Sequence, residues 1–307
     1  MHCWRAWLRR GGAVAEPRHR LGYALEALAA RVLFGLFRLL PLDAASAVGG
    51  FIGRSIGPWL GASKRAVVNL RRAMPELGED EIRRIVRGMW DNLGRVVAEY
   101  PHLREINVYG DDGRVEREGV EEILANRVPD RPYIFFSAHL GNWEIATLAA
   151  AQAKFEVTQI YRAANNPFVD RLIHEVRSGI GSELIPKGAV AARRAVAAIQ
   201  AGRSLTMLVD QKMNDGIAVP FFGRDAMTAP ALARLARRYD CIVVPARVER
   251  INGAHFRLTC DAPLPVPKTD DAHADMLALM TAVNATVERW IRARPEQWFW
   301  LHRRWPE

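Results

Sequence analysis

A chain of 307 residues with 50% hydrophobic and 25% charged residues has the makeup of one large or two small globular domains. It excludes a disordered tail, a fibrous repeat and a solenoid. Its 43 Lys and Arg against 34 Asp and Glu leave a formal charge of +9, which favours anionic partners: nucleic acid, acidic lipid surfaces, or an acidic protein or substrate.

Met1 to Arg20 is basic and carries Trp4 and Trp7, but it lacks the apolar core and small-residue cleavage site of a secretory signal. Leu21 to Leu40 is rich in Leu, Phe and Ala and is interrupted by Glu26, Arg31 and Arg38. It therefore falls short of the roughly 18 uncharged apolar residues of a spanning helix. On a helical wheel Arg20, Arg31 and Arg38 lie within about 20° of one another, while leucines and phenylalanines cover the rest. A narrow arginine stripe on a wide apolar helix predicts insertion into a membrane interface, with the arginines snorkelling to phosphates. Pro41 ends that helix, and Asp43 is a candidate cap for the next. There Gly49, Gly53, Gly57 and Gly61 recur every fourth residue, a spacing that allows close helix–helix approach. Residues 1–60 are accordingly expected to form a basic, apolar helical membrane-association segment, and 61–307 the catalytic domain. Gly53-Arg54-Ser55-Ile56-Gly57 formally matches the nucleophile elbow of hydrolases. The Ala/Gly-rich run ahead of Ser55 is a poor strand, and that context argues for coincidence.

From Gly78 a strong helix is expected, with apolar residues from Ile82 to Val97 at helical spacing. Beyond Pro132, β-rich runs alternate with helical ones. Strands are predicted at 133–137, 156–161, 204–209, 242–249 and 255–260, and helices at 143–153, 167–179, 189–201, 230–239 and 272–294. Such alternation predicts an α/β domain with a central, largely parallel sheet flanked by helices. Neither G-x-G-x-x-G nor a Walker motif occurs, so a nucleotide cofactor has no support. Cys3, Cys241 and Cys260 lack C-x-x-C spacing, which argues against a disulfide framework and a cysteine zinc site. No metal or other cofactor is expected.

In sheets of this kind chemistry sits where strands give way to helices. The first such switch reads Ser137-Ala138-His139-Leu140-Gly141-Asn142-Trp143-Glu144. Gly141 and Asn142 supply turn and cap chemistry, so His139 is placed at the strand end and Glu144 in the first helical turn. There the carboxylate is expected to accept the imidazole N–H and fix its tautomer, the base-and-orienter part of a triad. Direct attack by a substrate hydroxyl activated by His139 is preferred over Ser137 as nucleophile. A structural hydrogen-bonded pair is the plainer alternative.

The same string resembles the H-x-x-x-x-(D/E) block of glycerolipid-type acyltransferases, in the form found in bacterial lipid A biosynthesis acyltransferases. Further blocks agree in order: Asn69 to Glu76, Tyr161-Arg162 with Asn166-Pro167, Asp210-Gln211 with Val219 to Gly223, and Pro295 to Arg304. The resemblance implies transfer of a fatty acyl chain to a hydroxyl of a membrane glycolipid precursor, at the cytoplasmic face of the bacterial inner membrane. Acyl carrier protein thioester, or acyl-CoA, is the implied donor. It implies His139 as base and Glu144 as its orienter. Arg162 would bind an acceptor phosphate or an oxyanion; Asp210 would position substrate or anchor its loop. Asn142 would bind substrate or only cap the helix. Phe221 and Phe222 are read as core, with an acyl-channel lining as the alternative, and His302-Arg303-Arg304 as facing headgroups or solvent. An acidic carrier, a phosphorylated acceptor and an anionic membrane surface all suit a basic enzyme. Lys212-Met213-Asn214-Asp215-Gly216 departs from the family, where many members carry an acidic and aromatic pair. That keeps other acceptors open, among them an ornithine lipid, a lysophospholipid or an inositol mannoside. A nucleic-acid binder is disfavoured, because the arginines lie on apolar helices and not in a recognisable nucleic-acid fold.

Overall fold

In a computed structural model, residues 17–161, 163–186 and 189–305 are described. Four helices come first: α1 (Pro17–Arg38), α2 (Leu42–Ile56), α3 (Ser63–Ala73) and α4 (Glu79–Glu99). After β1 (Val115–Glu118) and α5 (Val120–Ala125) the chain alternates: β2 (Tyr133–Ser137), α6 (Glu144–Gln152), β3 (Val157–Tyr161), α7 (Pro167–Ser178), β4 (Glu183–Pro186), α8 (Ala189–Gln200) and β5 (Ser204–Leu208). A hairpin of β6 (Lys212–Phe221) and β7 (Arg224–Thr228) follows, then α9 (Ala231–Tyr239), β8 (Ile242–Asn252), β9 (His255–Cys260) and α10 (Ala272–Ala293).

The central sheet runs β1-β9-β8-β2-β5-β3-β4, and every neighbouring pair is parallel except β8 with β9. β2 sits in the middle and is buried along its whole length, as an uninterrupted Tyr-Ile-Phe-Phe run requires of a parallel strand covered on both faces. Its side chains alternate between two cores. Ile134 and Phe136 meet α8, α9 and α10 residues such as Ile199, Leu232 and Trp290, whereas Tyr133 and Phe135 meet Ala150 of α6 and Phe155. The α/β layering expected from the alternation is therefore observed.

The glycine ladder of α2 rests on α4. A side chain at Gly49 would meet the Gly94 carbonyl, one at Gly53 the Trp90 carbonyl, and one at Gly57 the Trp90 ring; Gly61 faces open space. Gly53→Leu should therefore cost about 1–3 kcal/mol through overpacking, and Gly61→Ala close to nothing. Thermal melts of the two variants side by side check this.

α1 differs from the expectation for its arginines. Arg31 pairs with Glu175 of α7 at 3.4 Å, and Arg38 pairs with Glu105 and lies 3.3 Å from the His102 Nδ1. Arg31 and Arg38 pair with the protein's own acids because both lie on the side of α1 that packs against α7 and the 100–105 turn. The Arg20 side chain lies outside the described residues. Leu21, Leu25, Leu28, Val32, Leu36 and Leu39 form the exposed arc instead. Phe51, Ile52 and Ile56 of α2 are exposed as well, and so is Trp59, at 88%. Among the described residues no helix is long and apolar enough to cross a membrane. Ser55 lies in the last turn of α2, where a nucleophile elbow would need a strand.

Candidate active site

β2 and β5 are parallel neighbours with Ser137 opposite Leu208. Two residues further along each strand stand His139 and Asp210, so the register brings them side by side at the C-terminal edge of the sheet. Asp210 Oδ1 accepts from the His139 Nδ1 at 2.8 Å, and Oδ2 accepts the His139 backbone N–H at 2.9 Å and the Trp298 indole N–H at 2.8 Å. The Asp210 side chain is fully buried, and that of His139 is 14% exposed. Burial alone would raise the Asp210 carboxyl. The neighbouring His139, through charge and hydrogen bond, outweighs it and holds the group well below the usual carboxylate range. With Nδ1–H directed at Asp210, the lone pair of Nε2 is the basic face of the ring, and the Gln211 amide nitrogen stands 3.4 Å from it.

A depressed carboxylate pKa contributes stability that is complete above its unfolded value, about 3.9, and is lost as pH falls toward the folded value. The melting-temperature gap between wild type and Asp210→Asn should therefore narrow below about pH 4. Melts from neutral to acid pH test it.

The expected contact between His139 and Glu144 is not the one formed. Gly141 adopts a left-handed φ of +56° and lies so close to the Val248 carbonyl that a side chain would not fit. The turn it makes starts α6 at Glu144 and aims that carboxylate at α7. Glu144 is fully buried. It accepts from Arg177 at 2.5 and 3.0 Å, from the Tyr100 hydroxyl at 2.6 Å and from the Trp143 indole at 2.8 Å. Burial works to raise the Glu144 carboxyl, and the Arg177 guanidinium overrides it and holds the group low. Glu144 thus touches the histidine's surroundings only through Trp143, whose ring centroid is 5.0 Å from that of His139.

Asn142 is also buried. Its amide donates to Glu99 at 2.9 Å and its oxygen accepts the Glu144 N–H at 3.3 Å, so both ends of the side chain are engaged within the protein. Glu99 in turn holds Arg250 through two contacts of 2.5 and 2.9 Å. Arg162 lies outside the described residues.

The C-terminal block closes the site. The Phe299 N–H donates to the His139 carbonyl at 3.1 Å, and the His302 ring stands edge-on to His139 at 4.9 Å. Asn69, from the first family-like block, donates to the Trp300 and His302 carbonyls at 2.8 and 2.7 Å. Blocks far apart in the chain therefore meet around one imidazole. Arg304 is not at a headgroup surface: it is fully buried, donates to the Met227 carbonyl and Thr228 hydroxyl, and burial brings its pKa down to about 10. Phe221 and Phe222 are buried and pack on Trp298, Trp300 and Trp305, which makes them core. His139, Asp210 and His302 each offer one ligand atom within 4.8 Å of the others, the one grouping among the described residues with a donor set for a metal ion.

Sequence reasoning missed Asp210 as the partner of His139, and with it Trp298 and His302. The available signal was positional: Asp210, like His139, follows an apolar strand and opens a loop.

A histidine base backed by a buried carboxylate, at the C-terminal edge of a parallel sheet, is the equipment of an α/β enzyme that activates a hydroxyl. The bacterial lipid A biosynthesis acyltransferase family matches residues 16–307, and the chain belongs to that family. It is similar to the lipid A biosynthesis myristoyltransferase of Escherichia coli, with 27% identity over 83% of this chain and 77% of that protein. The lipid A biosynthesis lauroyltransferase of the same organism is 25% identical over 77% of this chain and 76% of its own length. Among solved structures, the 1-acyl-sn-glycerophosphate acyltransferase of Thermotoga maritima aligns over 88% of this chain and 99% of its own, with 13% identity and a TM-score of 0.37. The chain is an O-acyltransferase.

Proposed function

We propose that this enzyme moves a fatty acyl chain from an acyl carrier protein thioester, or acyl-CoA, to a hydroxyl of a lipid A precursor at the cytoplasmic face of the inner membrane. His139 Nε2 takes the acceptor hydroxyl proton as the oxygen attacks the thioester carbonyl. The tetrahedral oxyanion then expels the thiolate, which leaves with the proton from the imidazolium. Asp210 holds the ring in the Nδ1–H tautomer and stabilises its charged form. A thioester is already activated, so base catalysis with oxyanion stabilisation suffices without a covalent enzyme intermediate. Glu144 acts at a distance, anchoring Trp143 beside the ring. Arg162 is assigned an acceptor phosphate or the oxyanion, tasks its fork suits.

The observation that carries this reading is the 2.8 Å contact between His139 and the buried Asp210 in a chain of this family. The exposed apolar arc of α1 and α2 supports a membrane-surface enzyme, as an acceptor anchored in a bilayer requires. Mass spectrometry of lipid A from a deletion strain tests the acceptor. Loss of one secondary acyl chain is expected, and an unchanged lipid A profile would overturn the assignment in favour of another lipid acceptor.

A further inference from the structure

Beside the apolar face of α2 lies a groove of about 440 Å³ whose lining includes neither His139 nor Asp210, a size within the range of small-ligand sites. Its walls come from α2, α4, the end of β8 and the turn after α10, and they carry Arg54, Arg84, Arg87, Arg95, Arg250 and Arg294. Glu81 pairs with Arg84 at 2.9 Å and Glu296 adds a carboxylate to the lining, yet the remaining cations still outnumber the acids. Arg54 and Arg95 share the single carboxylate of Asp91, each at 2.6 Å. Arg294 shares Glu249 with Arg247, at 3.6 and 3.3 Å, and Arg250 is taken by Glu99. Arg87 is exposed and has no hydrogen-bond or ion-pair partner among the described residues. Guanidinium forks converging on a concave site, with cations in excess, have the chemistry that binds phosphate.

Position narrows the source of that phosphate. The groove includes Arg250 and Gly253 at the C-terminal end of β8, a strand parallel to β2, so it opens at the same end of the sheet as His139. Its rim on α2 is Arg54, whose guanidinium stands 5.2 Å from the ring of exposed Phe51, and Phe51 opens the apolar face that continues through Ile52, Ile56 and Trp59. Apolar side chains edged by arginines match the two levels of a bilayer surface, acyl chains below and phosphates above. We infer that this groove binds the phosphate of an anionic membrane lipid headgroup while the outer face of α2 lies in the acyl layer. The inference rests on the membrane-surface reading above. It assigns the groove to a bulk lipid of the bilayer, separate from the acceptor at His139.

The test uses the full-length protein and sedimentation with vesicles of phosphatidylcholine alone or mixed equally with phosphatidylglycerol. Arg87→Glu/Arg294→Glu should weaken binding to the mixed vesicles by about tenfold or more and leave binding to the neutral vesicles unchanged. The control Lys154→Glu/Arg193→Glu makes the same change in net charge at exposed positions outside the groove, and should lose far less. Equal loss from both pairs would reduce the effect to overall charge and overturn the groove. Saturable binding of inorganic phosphate that Arg87→Glu/Arg294→Glu abolishes, with no loss of binding to the mixed vesicles in that variant, would assign the groove to free phosphate and overturn the headgroup. Failure of the wild type to bind either vesicle would instead sink the membrane-surface reading itself.

Discussion

Asp210→Asn should lower kcat by about 10²- to 10⁴-fold with little change in KM for either substrate. The carboxylate accepts from three donors: Nδ1 of His139 on one oxygen, and the His139 amide and Trp298 indole on the other. An asparagine has one oxygen only. Two donors converge on the Oδ2 position, so the amide oxygen settles there and the NH₂ faces Nδ1. The imidazole must then carry its proton on Nε2, the nitrogen that has to accept one, and the base is lost while the packing survives. Steady-state kinetics with both substrates varied separates this from a packing defect, which would raise KM or unfold the chain.

Glu144→Ala should act on stability first. Removing that carboxylate strands the buried Arg177 guanidinium, which is 9% exposed, and leaves the Tyr100 hydroxyl without its acceptor. Breaking a buried pair from one side costs about 3–5 kcal/mol, a large share of the stability of any domain. The double variant Glu144→Leu/Arg177→Met should recover much of that loss, since well-packed apolar replacements of a buried pair are often neutral. Denaturation midpoints of the three proteins decide it. Glu144→Gln, which keeps the shape, should retain activity within about tenfold when folded, consistent with a carboxylate that acts through Trp143. A folded Glu144→Gln protein as inactive as Asp210→Asn would return the orienting role to Glu144.

The strands at 133–137, 157–161, 204–208, 242–252 and 255–260 were legible because each is a β-branched or aromatic run bounded by turn residues. β1, with Glu-Arg-Glu in its four residues, looks like a solvated loop until β9 offers it an edge. The β6–β7 hairpin was hidden by Gly216 and Pro220 and by the polar Lys212–Asp215 stretch. His139 was legible from its place after an apolar strand, but its partner was not. Proximity in sequence pointed to Glu144, whereas the actual neighbour depends on β5 inserting between β2 and β3, and strand order is not written in local pattern. The same holds for α1. Arg31 and Arg38 meet Glu175 and Glu105, acids that only the folded chain brings near.

Acyl transfer by the purified enzyme, from a labelled acyl carrier protein thioester to a lipid A precursor, bears most directly on His139 as the base. Wild type should give a product one acyl chain heavier. His139→Ala, matched for folding by its melt, should give none above the uncatalysed background. A His139→Ala protein that acylates the precursor at the wild-type rate would contradict the account.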